Sequence, residues 1–163
     1  MNVIRQVVAD DATALCRIYN HYVAETVNTF EEVPIAESGM RARILEANTT
    51  SLPWLVAERA GHVIGYAHAS KWKGRCAYRF SVEVTVYLEA GSTGQGFGTD
   101  LYDALVARLQ RQEMHVALAG IALPNAASVA LHEKLGFRKV AHLPEVGFKF
   151  GRWIDIGYWQ RIL

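Results

Sequence analysis

The stretch FSVEVTVYLEAGSTGQGFGT, residues 80–99, contains the pattern on which the expected fold depends. Residues 80–88 alternate between apolar and polar side chains, which predicts a strand with one face buried in a core. Glycine then takes every second position of residues 94–98, and residues 99–112 carry leucine at four-residue spacing, which predicts an amphipathic helix. Glycines let the backbone approach a ligand closely, and the free N–H groups at a helix N-terminus attract anions. This strand–loop–helix unit therefore predicts a diphosphate site, although a plain tight turn would use the same glycines.

Two familiar nucleotide-binding loops fit this glycine pattern poorly. A dinucleotide-binding fingerprint needs G-x-G-x-x-G in the first strand–helix unit, with an acidic residue about 20 positions later, whereas this loop lies past the middle of the chain. A P-loop ends in G-K-[ST], and here Gly98 is followed by Thr99 and Asp100 without a lysine. Both interpretations are therefore disfavoured.

The rest of the chain predicts strands and helices without a repeat or a linker. Hydrophobic periodicity, turn residues and helix caps locate them. Strands are expected at residues 2–8, 54–59, 62–72, 115–122, 138–148 and 152–162, and helices at residues 11–25, 38–47 and 125–136. We expect one α/β domain over residues 1–163, with a mixed sheet covered by helices on both faces.

Composition and charge narrow the classes of partner. Hydrophobic residues make up 51% of the chain, charged residues 20%, and the net charge is +1. This balance is typical of globular proteins and gives no reason to expect nucleic acid or a membrane surface as a partner. No apolar run approaches the length of a membrane span, and residues 1–11 have no apolar stretch long enough for a signal peptide. Cys16 and Cys76 lie far apart outside any CxxC pair, which favours reduced thiols in a cytoplasmic protein.

Three longer blocks of sequence, together with the glycine loop, point to a family. They are WKGRCAYRFSVEVTVYL at residues 72–88, IALPNAASVALHEKLGF at residues 121–137 and GFKFGRWIDIGYWQR at residues 147–161. These blocks resemble the phosphinothricin and methionine sulfoximine or sulfone N-acetyltransferases. The glycine loop resembles the coenzyme A pyrophosphate motif of the GNAT acetyltransferase superfamily, which contains that group. The resemblance covers nearly the whole chain and departs at Thr93, where the family usually has arginine or glutamine.

The resemblance implies an acetyl-CoA-dependent N-acetyltransferase with a splayed central sheet. The pantetheine arm of the co-substrate would lie between the fourth strand and the next one, paired with the backbone of Val86, Tyr87 and Leu88. Asn125 would reach the same arm, and it also suits the N-cap of the helix that follows. Backbone amides of the glycine loop and the helix start would hold the diphosphate; these residues are Gly94, Gln95, Gly96, Phe97, Gly98 and Thr99.

Two residues are candidates for proton transfer. From its pattern alone, Glu83 is solvated, ion-paired or catalytic, because it lies in mid-strand on the polar face. The resemblance favours catalysis, in which Glu83 accepts the amine proton during direct attack in a ternary complex, while a backbone N–H near Val86 or Tyr87 stabilises the oxyanion. His132 stands where the group has histidine, and it would either protonate the departing thiolate or only pack near coenzyme A.

The resemblance also places substrate contacts in the loop after the first helix and in a turn between two strands. The turn carries cations that suit an anionic group on the substrate. The expected substrate is a small amino-acid-like amine. The expected contacts are Phe30, Glu31, Lys73, Gly74, Arg75, Tyr78 and Thr85.

Several alternatives stay open at this point. The histidines show no metal-ligand spacing, so no metal site is expected. The aromatic C-terminal strands could form the face of a homodimer, which is usual in the family. A non-catalytic coenzyme A-binding sensor or partner subunit of the same fold remains an alternative. So does a peptide N-terminal acetyltransferase, which would require an open groove.

Overall fold

The computed structural model describes residues 2–163, and over this range the predicted order of strands and helices is confirmed. The strands are β1 (Asn2–Gln6), β2 (Trp54–Arg59), β3 (His62–Lys71), β4 (Ser81–Leu88), β5 (Val116–Leu123), β6 (Arg138–Lys149) and β7 (Arg152–Ile162). The helices are α1 (Ala12–Glu25), α2 (Glu37–Thr50), α3 (Phe97–Arg111) and α4 (Ala126–Lys134), with short 3-10 helices at Ala9–Asp11 and Cys76–Tyr78. None of the helices in this range has the length and apolar character that crossing a membrane would require.

The strands of the described chain form one seven-stranded sheet in the order β1-β2-β3-β4-β5-β7-β6. Neighbouring strands are antiparallel except β4 and β5, which are parallel. The parallel pairing is short, because it joins only residues 81–83 to residues 116–118. Farther along, β4 stays paired with β3 and β5 stays paired with β7. The sheet is therefore splayed in its middle, as the resemblance implied, and a cleft opens between β4 and β5.

Helices cover both faces of this sheet, which confirms the predicted architecture. On one face α1 and α2 pack against β2 and β3 through a core that includes Leu15 and Trp54. On the other face the three leucines predicted at four-residue spacing on α3, Leu101, Leu105 and Leu109, are fully buried. The apolar stripe of α3 fixes this helix over the sheet, and its N-terminus lies at the mouth of the cleft.

Two details differ from the sequence-based expectation. Helix α3 begins two residues earlier than predicted, because Phe97 is buried in the core and Gly96 turns the chain with a φ of 91°. Phe80 precedes β4 and is 45% exposed, although the alternation placed it on the buried face. It lies one residue outside the strand, where its ring packs under the Arg79 guanidinium at 4.5 Å instead of entering the core.

Candidate active site

A cavity of about 760 Å³ occupies the cleft where β4 and β5 separate. Its walls come from residues 83–88 of β4 and residues 119–122 of β5, and α4 closes one side. The glycine loop lines one end, and Phe30 in the loop between α1 and α2 also lines the cavity. The cleft therefore connects the predicted diphosphate site with the predicted substrate loop.

The glycine loop adopts a backbone conformation that other residues rarely take. Gly94 has a φ of 73° and Gly96 a φ of 91°, in the left-handed region that favours glycine. A Cβ atom at either position would meet nothing within 4 Å. Glycine is therefore favoured there by the backbone conformation and not by a lack of space. Gly98 has a different reason, since a Cβ atom on it would lie 3.2 Å from the Leu131 side chain of α4.

The N-terminus of α3 opens into the cavity. Gly96 is the N-cap residue and has no side chain that could accept from the first amides of the helix. The first N–H groups of a helix have no partner inside it, so the amides of Phe97, Gly98 and Thr99 are available to an anion. The structure thus brings together the backbone donors that the sequence predicted for a diphosphate.

Gln95 and Phe97 direct their side chains away from the cavity. Gln95 donates to the Gly91 carbonyl at 2.7 Å and accepts from Arg59 at 2.8 Å. Phe97 is only 3% exposed and belongs to the core. Only the backbone of these two residues can face a diphosphate, which is the role that the prediction gave them.

Lys134, which the sequence did not single out, brings a cation to the glycine loop from α4. Its Nζ atom donates to Thr99 Oγ1 at 3.4 Å, and both residues line the cavity. Thr93, where the family usually has a longer polar residue, lines the cavity without a charge. Lys134 therefore supplies a positive charge beside the loop, which the uncharged Thr93 cannot do.

The backbone of β4 presents alternate residues to the cleft. Ser81 and Glu89, at the two ends of the strand, both make backbone hydrogen bonds on the β3 side. The backbone N–H and carbonyl groups of successive residues point to opposite sides of a strand. Those of the odd-numbered residues of β4 therefore point toward β3, and those of the even-numbered residues, including Val86, point toward the cleft. The backbone of Tyr87 therefore faces β3 and not the cleft, which weighs against the expectation that it pairs with the pantetheine arm.

Leu88 and Asn125, two other expected contacts of the co-substrate, already have partners within the chain. The Leu88 carbonyl accepts from the Tyr22 hydroxyl at 2.6 Å. Asn125 Oδ1 accepts from the Ser128 N–H at 3.1 Å, so this residue caps α4. Its Nδ2 atom donates to Asn28 Oδ1 at 3.3 Å, which ties α4 to the loop after α1.

Glu83 lies where β4 and β5 separate, with Gly120 of β5 and Tyr158 of β7 beside it. A Cβ atom on Gly120 would lie 3.4 Å from Glu83 Oε1 and 3.2 Å from the Tyr158 ring, so the glycine leaves room for both. Burial raises the pKa of Glu83, and the nearby charge of Lys73 partly offsets this rise. A carboxylate with a raised pKa is a stronger base, and this one lines the cavity.

His132 uses both of its ring nitrogens inside the protein. Its Nδ1 atom lies 2.7 Å from the Ser128 carbonyl oxygen, and because a carbonyl only accepts, we assign the proton to Nδ1. Its Nε2 atom lies 2.9 Å from the Tyr102 hydroxyl, which donates to it. Burial lowers the pKa of His132 and raises the pKa of Tyr102, so both side chains are neutral near pH 7. His132 therefore directs no N–H at the cavity, which weighs against the acid role expected of it.

The expected substrate contacts divide into two groups. Phe30 and Thr85 line the cavity, whereas Glu31 accepts from Arg43 at 2.7 Å on the α2 side. The other contacts belong to the segment after β3 and do not line the cavity. They are Lys73, Gly74, Arg75 and Tyr78.

Besides Lys134, three other residues around the cavity escaped the sequence interpretation. A lone glycine inside a strand often marks the close approach of another group, so Gly120 could have been found on this ground. Tyr102 lies among the leucines of α3, and Tyr158 lies in an aromatic strand. Both therefore resemble core residues, and no local pattern separates them from the core.

These parts together define a class of enzyme. A helix N-terminus without a side-chain cap behind a glycine loop suits a diphosphate, and a carboxylate where the strands part suits proton transfer from an amine, so the cleft fits acyl transfer from coenzyme A to an amine. Within residues 2–163, no three His, Cys, Asp or Glu side chains cluster as metal ligands would. The chain belongs to the GNAT acetyltransferase family, since the model of the acetyltransferase (GNAT) domain matches residues 4–157.

Individual relatives agree with this assignment. The chain is 42% identical over 161 residues to the phosphinothricin N-acetyltransferase of Alcaligenes faecalis, covering 98% of this chain and 82% of that protein. It is 37% identical over 150 residues to the L-methionine sulfoximine/L-methionine sulfone acetyltransferase of Salmonella typhimurium, covering 92% and 88%. A GNAT superfamily phosphinothricin acetyltransferase from Sinorhizobium meliloti, crystallised in complex with AcCoA, superposes with a TM-score of 0.96 at 37% identity, covering 99% and 88%. The protein is thus an N-acetyltransferase whose co-substrate is acetyl-CoA.

Proposed function

We propose that this enzyme acetylates the α-amino group of a small amino-acid-like substrate of the phosphinothricin, methionine sulfoximine or methionine sulfone type. The observation that carries the proposal is the half-buried Glu83 carboxylate, which lies in the cleft beside a glycine that leaves it room. The names of the relatives support the substrate class. The α-amino group of such a substrate is mostly protonated at neutral pH, so a base must accept its proton, and Glu83 is a carboxylate that lines the cavity.

Several groups of the chain fit the co-substrate, which supplies the acetyl group as an activated thioester. The free amides at the start of α3 fit the diphosphate, and Lys134 adds a positive charge beside them. Val86 offers its carbonyl to the pantetheine arm, because β5 has separated from β4 at this point. Asn125 would reach the same arm only by exchanging its contact with Asn28.

We assign two catalytic roles to the chain, that of a base and that of a donor to the thioester oxygen. Glu83 accepts the proton of the amine, directly or through a water molecule, as the amine attacks in a ternary complex. The Val86 N–H donates to the thioester oxygen and favours the charge that develops on it. Both groups lie on β4, which is held along its length by β3, so their spacing is fixed.

We assign His132 a neutral role at the thiol end of the cleft. Both of its nitrogens are already bonded to Ser128 and Tyr102, so it has no proton to give in this arrangement. A thiolate with a pKa near 8.5 leaves with little help. The ring then serves to shape the wall of the cleft together with Tyr102.

The turn after β3 is proposed to hold an anionic group of the substrate. The charge of Lys73 lowers the pKa of Glu83, which supports a position for this cation near the acceptor. Arg75 is the second cation of this turn, and Gly74 and Tyr78 complete it. Phe30, Glu31 and Thr85 are proposed to contact the remainder of the substrate.

We also propose that the enzyme is a one-domain homodimer that works in the cytoplasm. The β6–β7 hairpin exposes a group of large apolar side chains, and two of them, Phe148 and Trp153, stack at 4.9 Å. Exposed apolar patches of this kind mark interfaces. Cys16 and Cys76 are free thiols, which favours a reducing compartment. Sedimentation of the wild type and of Trp153→Glu would test the dimer, and we expect the variant to be monomeric.

An acetyl-transfer screen read by thiol release tests the function. We expect activity with methionine sulfone, methionine sulfoximine or phosphinothricin, and little with spermidine or an N-terminal peptide. A wide preference for spermidine or for the peptide would overturn the substrate class and leave the acetyltransferase assignment intact. The contact between Asn28 and Asn125 joins the loop after α1 to α4, and both residues line the cavity, so we expect it to hinder a long peptide.

A further inference from the structure

Lys149, the last residue of β6, is a buried cation outside the cleft. Its side chain is only 1% exposed, whereas every other lysine and arginine within residues 2–163 is at least partly exposed. Burial lowers the pKa of Lys149, and the nearby charge of Glu32 partly offsets this fall. Burying an amine costs free energy that an apolar side chain of similar size would not cost. A lysine at this position therefore points to a role other than core packing.

The Lys149 amine contacts the segment between α1 and α2, residues 26–36, here called the acceptor loop. Its Nζ atom donates to the Thr29 carbonyl oxygen at 2.8 Å, and the centroid of the Phe150 ring lies 5.0 Å from the same atom. The acceptor loop contains no helix or strand, so its backbone groups depend on partners in other elements. Lys149 is such a partner.

Gly147, two residues before Lys149 on β6, gives the strand a second contact with the acceptor loop. A Cβ atom at this position would collide with the Phe30 ring, so the ring lies directly against the main chain of β6. The φ of Gly147 is outside the left-handed region, so glycine is needed here for the close approach and not for the backbone conformation. Alternate residues of a strand share a face, and Gly147 and Lys149 are both buried on the face that the loop covers.

Thr29 is the middle one of three loop residues that bear on the cleft. Its neighbours Asn28 and Phe30 both line the cavity, whereas Thr29 does not. Thr29 is instead held from two sides, by Lys149 at its carbonyl and by the Tyr19 hydroxyl, which lies 2.8 Å from its Oγ1 atom. A displacement of Thr29 would move both of the residues that face the cleft.

We propose that Lys149 is a positioning residue that holds the acceptor loop against β6, so that Asn28 and Phe30 face the cleft in the geometry that binds the acceptor. The proposal rests on the proposed acetylation of a small amino acid, because it concerns the loop that would contact this substrate. Lys149 does not line the cavity, so it acts only through the loop. The catalytic carboxylate of Glu83 and the start of α3 lie on other elements. Loss of the Lys149 contact should therefore weaken acceptor binding alone.

Enzyme kinetics test the positioning role. Lys149→Met keeps the length of the side chain and removes its hydrogen-bond donors. We expect KM for the best amino-acid acceptor to rise at least about fivefold, because a hydrogen bond from an amine is lost and the loop is no longer held. The values of kcat and of KM for acetyl-CoA should change by less than about twofold. Lys139→Met is the matched control, because Lys139 is exposed on the same strand and does not line the cavity, and it should leave all three constants unchanged.

Hydrogen exchange followed by mass spectrometry measures the order of the acceptor loop and needs no substrate. We expect amides of residues 26–36 to exchange at least about fivefold faster in Lys149→Met than in the wild type. The Glu31 N–H should be among them, because it donates to Thr29 Oγ1. Exchange in β3 and β4 should be unchanged. A lysine that only stabilises the fold would instead lower Tm and accelerate exchange in these core strands as well.

The possible results separate the positioning role from the proposed function. If the wild type acetylates no amino acid, the proposed function fails, and faster loop exchange in Lys149→Met would then support the loop contact alone. If the wild type acetylates amino acids and Lys149→Met changes neither the acceptor KM nor the loop exchange, the positioning role fails and the proposed function survives. Faster loop exchange with an unchanged acceptor KM would also overturn the role, since the order of the loop would not matter to the acceptor.

A second variant covers the case in which Lys149→Met does not fold. Lys149→Gln is too short to reach the Thr29 carbonyl and should raise the acceptor KM and the loop exchange in the same way. Failure of both variants to fold would assign Lys149 to the stability of the fold and overturn the proposal.

Discussion

The Tyr102 hydroxyl lies 2.9 Å from His132 Nε2, and both side chains are almost completely buried beside the cleft. Because the Ser128 carbonyl holds the proton on Nδ1, the nitrogen that faces Tyr102 is an acceptor. A histidine with both ring nitrogens bonded in this way can line the cleft without acting as an acid. The pH dependence of the reaction distinguishes this arrangement from acid catalysis.

We expect kcat/KM for the acceptor to rise with pH and level off, without a falling limb between about pH 6 and 9 that depends on His132. His132→Gln should keep the shape of this profile and lower kcat by less than about tenfold, since loss of a general acid costs roughly 10²–10⁴-fold. Initial rates of thiol release measure both. An alkaline falling limb that disappears in His132→Gln would show that His132 is the acid after all.

Glu83→Gln keeps the shape of the side chain and removes the base. We expect kcat to fall by roughly 10²–10⁴-fold near neutral pH. The loss should shrink as pH rises toward about 9, because more of the amine is then already deprotonated. Circular dichroism would establish that the fold is intact, and a variant with full activity at neutral pH would show that Glu83 is structural.

Gly96→Asp places a side chain and a negative charge where the diphosphate is proposed to bind. We expect calorimetry to show the affinity for coenzyme A reduced at least about tenfold, or 1.4 kcal/mol. Gly91→Asp is a matched control, because Gly91 also has a positive φ, 87°, but does not line the cavity. Equal losses of coenzyme A affinity in both variants would mean that backbone strain, and not disruption of the diphosphate site, explains the result.

Lys134→Gln removes the cation beside Thr99. We expect the affinity for coenzyme A to fall by up to about fivefold, because an exposed charge contact is worth up to about 1 kcal/mol. The difference from the wild type should shrink at high ionic strength. Arg138→Gln, an exposed cation that does not line the cavity, should leave the affinity unchanged. An undiminished affinity in Lys134→Gln would remove this residue from the site.

The stability of the fold should decrease in mild acid because of His68. Its pKa is about 4 in the folded protein and about 6.5 in an unfolded chain. Above about pH 6.5 the imidazole is neutral in both states; between about pH 6.5 and 4 only the unfolded chain takes up the proton, so stability is lost. His68→Phe should lose less stability over this window in urea unfolding. His132 contributes in the same direction. The slope of unfolding free energy against pH should therefore be smaller in His68→Phe without reaching zero, and an unchanged slope would contradict this account.

The fold could be predicted because its signals are local and periodic. The alternation that buries Val82 and Val84, and the spacing that buries Leu101 and Leu105, are both visible within one element. The glycine loop was predictable for a similar reason, since Gly96 needs a conformation that its neighbours in sequence already suggest. These signals do not depend on knowing which elements meet.

The parts of the site that escaped prediction depend on contacts between elements that are far apart in the sequence. Tyr102 and His132 are 30 residues apart on different helices, and only the packing of α3 against α4 joins them. The choice between Val86 and Tyr87 as the residue that faces the cleft depends on which strand pairs with each side of β4, and a shift of one residue reverses it. Sequence periodicity shows that the residues of a strand alternate in direction. It does not show which neighbouring strand each residue's backbone groups face.

The splay between β4 and β5 also bears on how this chain can diverge. The groups proposed to hold acetyl-CoA are mostly main-chain atoms, at Val86 and at the start of α3, and nearly every amino acid can supply these. The surfaces proposed to meet the acceptor are side chains, such as Phe30 and Thr85. Substitutions can therefore accumulate on the acceptor side while the donor site stays intact. An enzyme of this architecture could therefore change its acceptor while it still binds acetyl-CoA, and directed evolution toward a new amine should concentrate on the loop after α1 and the turn after β3.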